Sequence, residues 1–284
     1  MILVTGATGT VGRPLIDLLS AAGAGIRAVT RNQQAADLPP GVEVIEGYPS
    51  QPATIADALQ GVSAVFLNPR AIGTAADELI TLARDQGVKR VVTMSALNVE
   101  FDLARQPSRL RGEYNKEVEA AAVASGLQWA GLRSGWYAAN AIGMWADQIR
   151  AGDVVHGTYA NSAWAPIHER DIAAVGAHAL LTDELVGRLP VLTGPRLLTQ
   201  EEMVTAIGAA IGRPLRFQEV PPEMAKRGMV QAGIPEAAAA GFLAMQAESY
   251  GQAGLVSGEA EQILGRPGLT FAEWAAEHAA DFQN

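Results

Sequence analysis

Short apolar segments alternate with amphipathic stretches through the first 194 residues of the chain. The apolar segments are typical of β-strands, and the stretches that follow them have the spacing of apolar positions typical of helices. The predicted strands cover residues 1–5, 26–30, 42–46, 63–67, 90–94, 128–133 and 189–193. Strand 63–67 is apolar throughout its centre, as expected for a parallel strand buried on both faces. The alternation predicts an α/β fold with a doubly wound parallel sheet.

The pattern changes after residue 195, where the alternation of strands and helices ends. Thr199 and Glu202 have the spacing of a capping box, which predicts that a helix begins there. Alanine-rich segments over 222–253 and a final segment over 271–282 predict further helices. The C-terminal third of the chain is therefore predicted to be mostly helical.

A glycine-rich turn joins the first strand to a helix predicted over 11–22. Gly6 permits the sharp turn out of the strand, Gly9 allows a diphosphate to approach the backbone, and Gly12 allows the helix to pack close to the sheet. The spacing is G-x-x-G-x-x-G, and its place between a strand and a helix N-terminus predicts dinucleotide binding rather than a turn without a ligand. The predicted cofactor-binding residues of this turn are Gly6, Thr8, Gly9, Thr10, Val11 and Gly12.

The domain organisation follows from these two patterns. We predict a Rossmann domain that binds NAD(P) over residues 1–194 and a smaller, mostly helical substrate-binding region over 195–284. Residues 135–165 are expected to contribute to the substrate pocket.

Arg31 follows the second predicted strand, at the point where the adenosine ribose of a dinucleotide lies in such folds. An acidic residue there would bind a free 2′-hydroxyl, whereas the planar guanidinium suits a 2′-phosphate. We therefore predict NADP(H) in preference to NAD(H), the alternative being a solvated surface arginine. Asn68 and Ser95 also follow strands and are predicted to lie at the same edge of the sheet as Arg31 and the glycine turn.

Composition limits the remaining possibilities. The net charge of −9 at pH 7 argues against nucleic acid or an anionic membrane as a partner, because both are bound by clustered Lys and Arg. The chain has no cysteine, which excludes disulfides, thiolate catalysis and cysteine-ligated metals. His, Asp and Glu lack metal-ligand spacing, so no metal is predicted. No apolar run reaches the ~20 residues of a membrane span, no signal peptide is seen, and we expect a cytoplasmic protein.

Several segments resemble the atypical short-chain dehydrogenase/reductases, and more narrowly the NmrA-like group. The segments are Val4 to Gly12, Glu119 with 124–127, Leu132 to Tyr137 with Asn140, Pro166 to Asp171, and Leu192 to Pro195. The run Arg-x-Gly-Trp-Tyr-x-x-Asn is similar to the type 2 NADPH-dependent quinone oxidoreductases. The resemblance implies NADP(H) along the glycine turn with Arg31 at the 2′-phosphate, and a substrate pocket that includes Trp136, Tyr137 and Asn140.

Two departures from the family pattern concern the cofactor and the catalytic residues. Many relatives have Asp where this chain has Tyr48, which suggests that the tyrosine stacks on adenine instead. The resemblance implies Ser95 and Lys116 as catalytic residues, with Lys116 holding the nicotinamide ribose, but Gly112 occupies the usual tyrosine position four residues earlier. Tyr114 is a candidate only if the helix begins after it, since two helical residues so spaced point about 200° apart.

The structural alternatives are a solvated helix lysine for Lys116, a backbone cap for Ser95, and core packing for Trp136 and Tyr137. Our leading hypothesis is an NADPH-dependent oxidoreductase that transfers hydride to a quinone or another conjugated carbonyl. The alternatives are a redox-sensing regulatory protein that binds NADP(H) without turnover, and a natural-product pathway reductase or isomerase. A small-molecule substrate is expected, together with a homodimer or, for the sensor, a regulatory protein partner.

Overall fold

The computed structural model describes residues 1–102, 106–110, 112–249 and 254–283. These residues form two compact units. The sheet unit comprises Met1–Glu100, Gly112–Ser134 and Glu169–Val191, and the helical unit comprises the described residues of Phe101–Arg111, Gly135–His168 and Leu192–Asn284.

Among the described residues, eleven strands are present. They are β1 (Ile2–Thr5), β2 (Ile26–Thr30), β3 (Glu43–Glu46), β4 (Ala64–Leu67), β5 (Arg90–Ala96), β6 (Gln128–Ser134), β7 (Val154–Gly157), β8 (Ala163–Trp164), β9 (Val191–Leu192), β10 (Leu198–Thr199) and β11 (Arg216–Glu219). Seven of them form a parallel sheet in the order β3-β2-β1-β4-β5-β6-β9. The strand order reverses between β1 and β4, so the crevice for a ligand lies at their carboxyl ends.

The described residues also form twelve α-helices. They are α1 (Gly12–Ala21), α2 (Pro69–Ile72), α3 (Ala76–Asp85), α4 (Pro107–Leu110), α5 (Asn115–Ala124), α6 (Asn140–Ala151), α7 (Glu169–Leu181), α8 (Gln200–Ile211), α9 (Pro222–Gln231), α10 (Glu236–Ser249), α11 (Glu259–Leu264) and α12 (Phe271–Glu277). Within the part of the chain that the structure describes, short 3₁₀ helices cover Pro52–Ile55, Asp57–Leu59 and Ala279–Phe282.

Helices cover both faces of the large sheet. Leu3 and Val65 face one side, where they share a buried apolar cluster with residues of α3 and α5. Phe66 faces the other side because successive strand residues alternate between faces, and its ring lies next to Gly176 of α7. Helix α1 packs against α7 on that side. The predicted doubly wound α/β sheet is confirmed.

The helical unit has its own apolar core. Its largest fully buried side chains are Trp145, Trp274 and Phe282, which belong to one cluster with residues of α6, α8 and α12. Strands β7 and β11 pair in parallel, and β8 pairs antiparallel with β10. Helix α8 begins with the predicted capping box, in which Thr199 and Glu202 exchange side chain to backbone hydrogen bonds of 2.7 and 3.2 Å.

The units divide the chain differently from the single predicted boundary after residue 194. Segment Gly135–His168 groups with the C-terminal residues, because its apolar side chains, such as Trp145, pack into the same core as those of α8 and α12. It includes residues 135–165, for which we predicted a contribution to the substrate pocket.

Some predicted elements have different bounds in the structure. The sequence pattern predicts one short helix over residues 52–59, which the structure divides into two 3₁₀ helices. It also predicts a loop over 100–112, and helix α4 lies within that range. The alanine-rich prediction over 222–253 divides into α9 and α10, and its residues 250–253 lie outside the described residues.

The first prediction concerns Gly12, whose added Cβ would clash with the backbone carbonyl oxygen of Gly6. Because backbone cannot move aside as a flexible side chain does, we expect Gly12→Ala to lower the free energy of unfolding by about 1–3 kcal/mol. Urea unfolding followed by circular dichroism measures this change.

Gly143→Ala is the matched control, since Gly143 also lies in a helix but its added Cβ would meet no atom within 4 Å other than nearby backbone of its own helix. Helix propensity alone predicts a gain of up to about 1 kcal/mol there. Equal effects of the two substitutions would contradict the close contact at Gly12.

Candidate cofactor and catalytic site

The glycine turn is held against the end of the neighbouring strand. Gly6 has a φ of 65°, in the left-handed region, and its added Cβ would lie 2.5 Å from Asn68 Nδ2. The hydroxyl of Thr5 donates to the backbone carbonyl of Phe66 at 3.0 Å and accepts from the backbone N–H of Asn68 at 2.8 Å. The structure therefore brings Asn68 and the glycine turn together, at the carboxyl ends of β1 and β4.

The middle of the turn is open to solvent. Thr8, Gly9 and Thr10 are exposed, whereas Val11 is buried and is the N-cap residue of α1. The first amides of a helix have no acceptor within that helix and carry its positive dipole end. Exposed backbone before a helix N-terminus, with no side chain at Gly9, fits the pyrophosphate of a dinucleotide.

A concavity of about 480 Å³ lies at the adenosine end of the predicted site. Thr8, Arg31 and Tyr48 line it, together with Thr30, Asn32 and Ala35. Within the described residues its lining contains an arginine and no carboxylate, and Arg31 makes no ion pair. The Tyr48 side chain is 44% exposed, so its ring is available for stacking. The lining residues fit an adenosine that carries a 2′-phosphate.

A buried ion pair lies under the carboxyl ends of β5 and β6. Arg133 of β6 donates to Glu119 of α5 through two hydrogen bonds, from Nε to Oε2 at 3.0 Å and from Nη2 to Oε1 at 2.6 Å. Ser95 donates its hydroxyl proton to Glu119 Oε2 at 2.6 Å. Ser95 is only 3% exposed, so donation to a substrate would require this hydrogen bond to break.

The ion pair continues to the surface through Glu100. Arg133 Nη2 donates to Glu100 Oε1 at 2.8 Å, and Lys116 Nζ lies 3.5 Å from Glu100 Oε2. The hydrogen bond from Arg133 and the charge of Lys116 lower the pKa of Glu100 below its usual 4.5. The hydrogen bond to Glu119 raises the pKa of Arg133. The structure thus links Ser95 and Lys116, two of the three residues that we singled out for catalysis.

Tyr114 lies outside the regular part of α5, which begins at Asn115. The 200° separation from Lys116, which assumed that both residues are helical, therefore does not apply. Gly112 has a φ of 86° and is exposed. A tyrosine at that position would be strained, because side chains other than glycine rarely adopt this conformation.

The predicted substrate-pocket residues lie in the helical unit. The Trp136 ring stacks on that of Trp164 at a centroid distance of 5.1 Å and lies 6.3 Å from that of Trp145. Tyr137 is half-buried and pairs through its backbone with Ile167, and Asn140 is exposed at the start of α6. Trp136 thus has a packing role in its own unit.

Two further findings concern the described part of the chain. It contains no group of three or more His, Asp and Glu side chains arranged to hold a metal ion. None of its helices combines the length and the apolar character needed to span a membrane.

Comparison with known proteins identifies the family. Residues 6–183 match a family model described as NAD(P)H-binding, and the chain belongs to this family. It is 33% identical to the (4-alkanoyl-5-oxo-2,5-dihydrofuran-3-yl)methyl phosphate reductase of Streptomyces griseus, over 99% of both chains. It is 34% identical to the NAD(P)H azoreductase of Xenophilus azovorans, also over 99% of both chains.

A solved structure gives the same result. The NADPH-dependent quinone oxidoreductase QOR2 of Escherichia coli, complexed with NADPH, is 25% identical and aligns with a TM-score of 0.80. The alignment covers 98% of this chain and 99% of QOR2. These comparisons confirm the predicted NAD(P)H-binding family, the predicted resemblance to type 2 NADPH-dependent quinone oxidoreductases, and the prediction of an NAD(P)H-dependent reductase.

We assigned no chemical role to Glu100, Glu119 or Arg133 from the sequence, although Glu119 and Arg133 lie in segments that carry the family resemblance. One signal was present, because Glu119 lies on the face of α5 that also carries the buried residues Val118 and Ala122. An acidic residue on an apolar helix face is rarely buried without a partner. That signal did not show which basic residue is the partner of Glu119, because Arg133 lies on a different element, strand β6.

The second prediction concerns Arg133. Replacing it with Met leaves Glu119, whose side chain is 8% exposed, without its cation. We expect the free energy of unfolding to fall by roughly 3 kcal/mol, the lower end for a buried pair because the Arg133 side chain is 19% exposed. Urea unfolding at neutral pH measures the change.

Arg84→Met is the control, because Arg84 pairs with Asp85 on the surface, where both side chains are at least half exposed. Its loss should cost less than about 1 kcal/mol. If Arg133→Met were no more destabilising than this control, the ion pair would not stabilise the fold as proposed.

Proposed function

We propose that the protein is an NADPH-dependent reductase that transfers hydride to a quinone or another conjugated carbonyl acceptor. The observation that carries this proposal is Gly112, which stands four residues before Lys116 with a φ of 86°. Relatives of the standard short-chain type place a tyrosine acid at this position. The acceptor should therefore be one whose reduction does not depend on that acid.

The choice of acceptor follows from the basicity of the product. Reduction of an ordinary ketone gives a strongly basic alkoxide, which needs a positioned proton donor. Reduction of a quinone gives a phenolate-like oxyanion, which has a pKa of about 10 by analogy with tyrosine. Water can protonate this oxyanion. The names of the three relatives described above, which include a quinone, an azo and an oxo-dihydrofuran reductase, support this choice.

Each part of the cofactor has proposed partners on the sheet unit. The glycine turn, with Thr8, Thr10 and Val11, binds the pyrophosphate, and Asn68 lies beside it. Arg31 binds the 2′-phosphate, which is the basis for a preference for NADP(H) over NAD(H), and Tyr48 stacks on adenine. Lys116 holds the nicotinamide ribose.

The reaction itself is assigned to a further set of proposed residues. The bound cofactor supplies the hydride. Lys116 keeps the ribose in place, and Ser95 acts indirectly by holding Glu119. Tyr114, outside the regular helix, is a second candidate to contact the acceptor. Trp136, Tyr137 and Asn140 are the residues proposed to bind the acceptor.

The third prediction tests the cofactor preference. Arg31→Ala should weaken NADPH binding by about ten- to hundredfold, because a hydrogen bond to a charged group contributes about 1.5–3 kcal/mol. NADH binding should change little, since NADH has no 2′-phosphate. Fluorescence titration of both cofactors against the variant and the parent protein measures the difference.

Tyr48→Ala is the matched comparison within the same concavity. Adenine is common to both cofactors, so loss of a stacking contact of about 1–3 kcal/mol should weaken both equally, and Tyr48→Phe should retain them. If Arg31→Ala instead weakened both cofactors equally, the assignment of Arg31 to the 2′-phosphate would be wrong.

The fourth prediction tests the acceptor class. NADPH oxidation, followed by absorbance, is measured against a panel of quinones, enones and unconjugated ketones. We expect quinones to be reduced at least about a hundredfold faster than the ketones, because a general acid contributes that much or more to ketone reduction. The enones should fall between the two groups.

Two results would contradict this function. Equal rates with ketones and quinones would mean that the protein supplies a proton donor after all. Tight NADPH binding, measured in parallel by fluorescence, with no turnover of any acceptor would favour the redox-sensing alternative.

A further inference from the structure

Ser95 and Lys116 are the two ends of one continuous chain of polar contacts. The series of contacts runs from Ser95 to Glu119, then to Arg133, Glu100 and Lys116, with distances of 2.6, 2.6, 2.8 and 3.5 Å. All five residues belong to the sheet unit. The interior end of this series of contacts is rigid, because Ser95 and Arg133 lie on paired strands and Glu119 lies on α5.

Glu100 bridges two cations with its two carboxylate oxygens. Oε1 accepts from Arg133, which is itself held by both oxygens of Glu119, while Oε2 faces Lys116 Nζ. The Lys116 and Glu100 side chains are 51% and 61% exposed. Isolated ion pairs this exposed are weak, but here the carboxylate is oriented by an anchored arginine.

We propose that Glu100 is a positioning residue, which, oriented by Arg133, holds the Lys116 ammonium ready for the nicotinamide ribose. This proposal rests on the proposed function, which assigns Lys116 to that ribose. The two roles are compatible, because an ammonium group has three donors and can bind a carboxylate and a hydroxyl together. Holding the flexible lysine stem before binding reduces the entropy lost when the cofactor binds.

The test is a double-mutant cycle on the full-length protein, with NADPH affinity as the readout. Glu100→Gln removes the charge but keeps the shape, and Lys116→Met removes the ammonium but keeps the stem. Each single variant should weaken NADPH binding by about two- to fivefold, the range of an exposed ion pair. The double variant should bind NADPH no more weakly than Lys116→Met alone, because Glu100 acts only through the lysine.

Asp85→Asn is the matched control, since Asp85 is an exposed carboxylate paired with Arg84 at the end of α3. It should leave NADPH affinity unchanged. Urea unfolding of every variant checks that the affinity changes do not arise from lost stability.

Each other outcome has a defined meaning. Unchanged or tighter NADPH binding by Glu100→Gln would overturn the proposal, as would fully additive losses in the double variant. Unchanged binding by Lys116→Met would remove the assignment of Lys116 to the ribose and this proposal with it. The proposed quinone reductase function would not be contradicted in that case, because it is tested separately by measuring the reduction of quinones.

Discussion

The contact between Gly12 and the carbonyl of Gly6 is the constraint on which the nucleotide-binding end of the sheet unit depends. It allows helix α1 to begin directly against the end of β1, because no side chain separates them. The helix amides are thereby placed beside the point where the strand order reverses between β1 and β4. Thr5 links the same two strands by accepting from Asn68 and donating to Phe66. The crevice is a consequence of this packing.

The second determinant is the ion pair between Glu119 and Arg133. Burying either charge alone is costly, so the pair is kept together with Ser95 as a third partner. The same arginine reaches Glu100 at the surface. The ion pair below β5 and β6 is therefore connected, through Glu100, to Lys116, which is proposed to contact the cofactor. The Ser95 hydroxyl is hydrogen-bonded to Glu119, so Ser95 orients this glutamate instead of presenting a free hydroxyl to a substrate.

The two ends of the proposed cofactor site differ in character. At the adenosine end, Arg31 and Tyr48 line one concavity, which combines a cation with a flat ring. At the end proposed for the nicotinamide, Lys116 is the proposed ribose-binding residue, but Gly112 adopts a backbone conformation that a tyrosine would resist. Such a site is better suited to orienting a cofactor next to an easily reduced acceptor than to protonating a basic alkoxide.

The sequence by itself determined the sheet and the glycine turn, because both depend on local patterns. Apolar strands, a strand–glycine–helix junction and a capping box at Thr199 are specified within a few neighbouring residues, and the structure has each of them. Only the tertiary structure decided that Gly135–His168 groups with the C-terminal helices, since this depends on apolar side chains far apart in the chain packing into one core. It also decided which partners Ser95 and Lys116 have. Glu100, Glu119 and Arg133 come from separate elements, and only the pairing of β5 with β6 and the docking of α5 bring their charges within hydrogen-bonding distance.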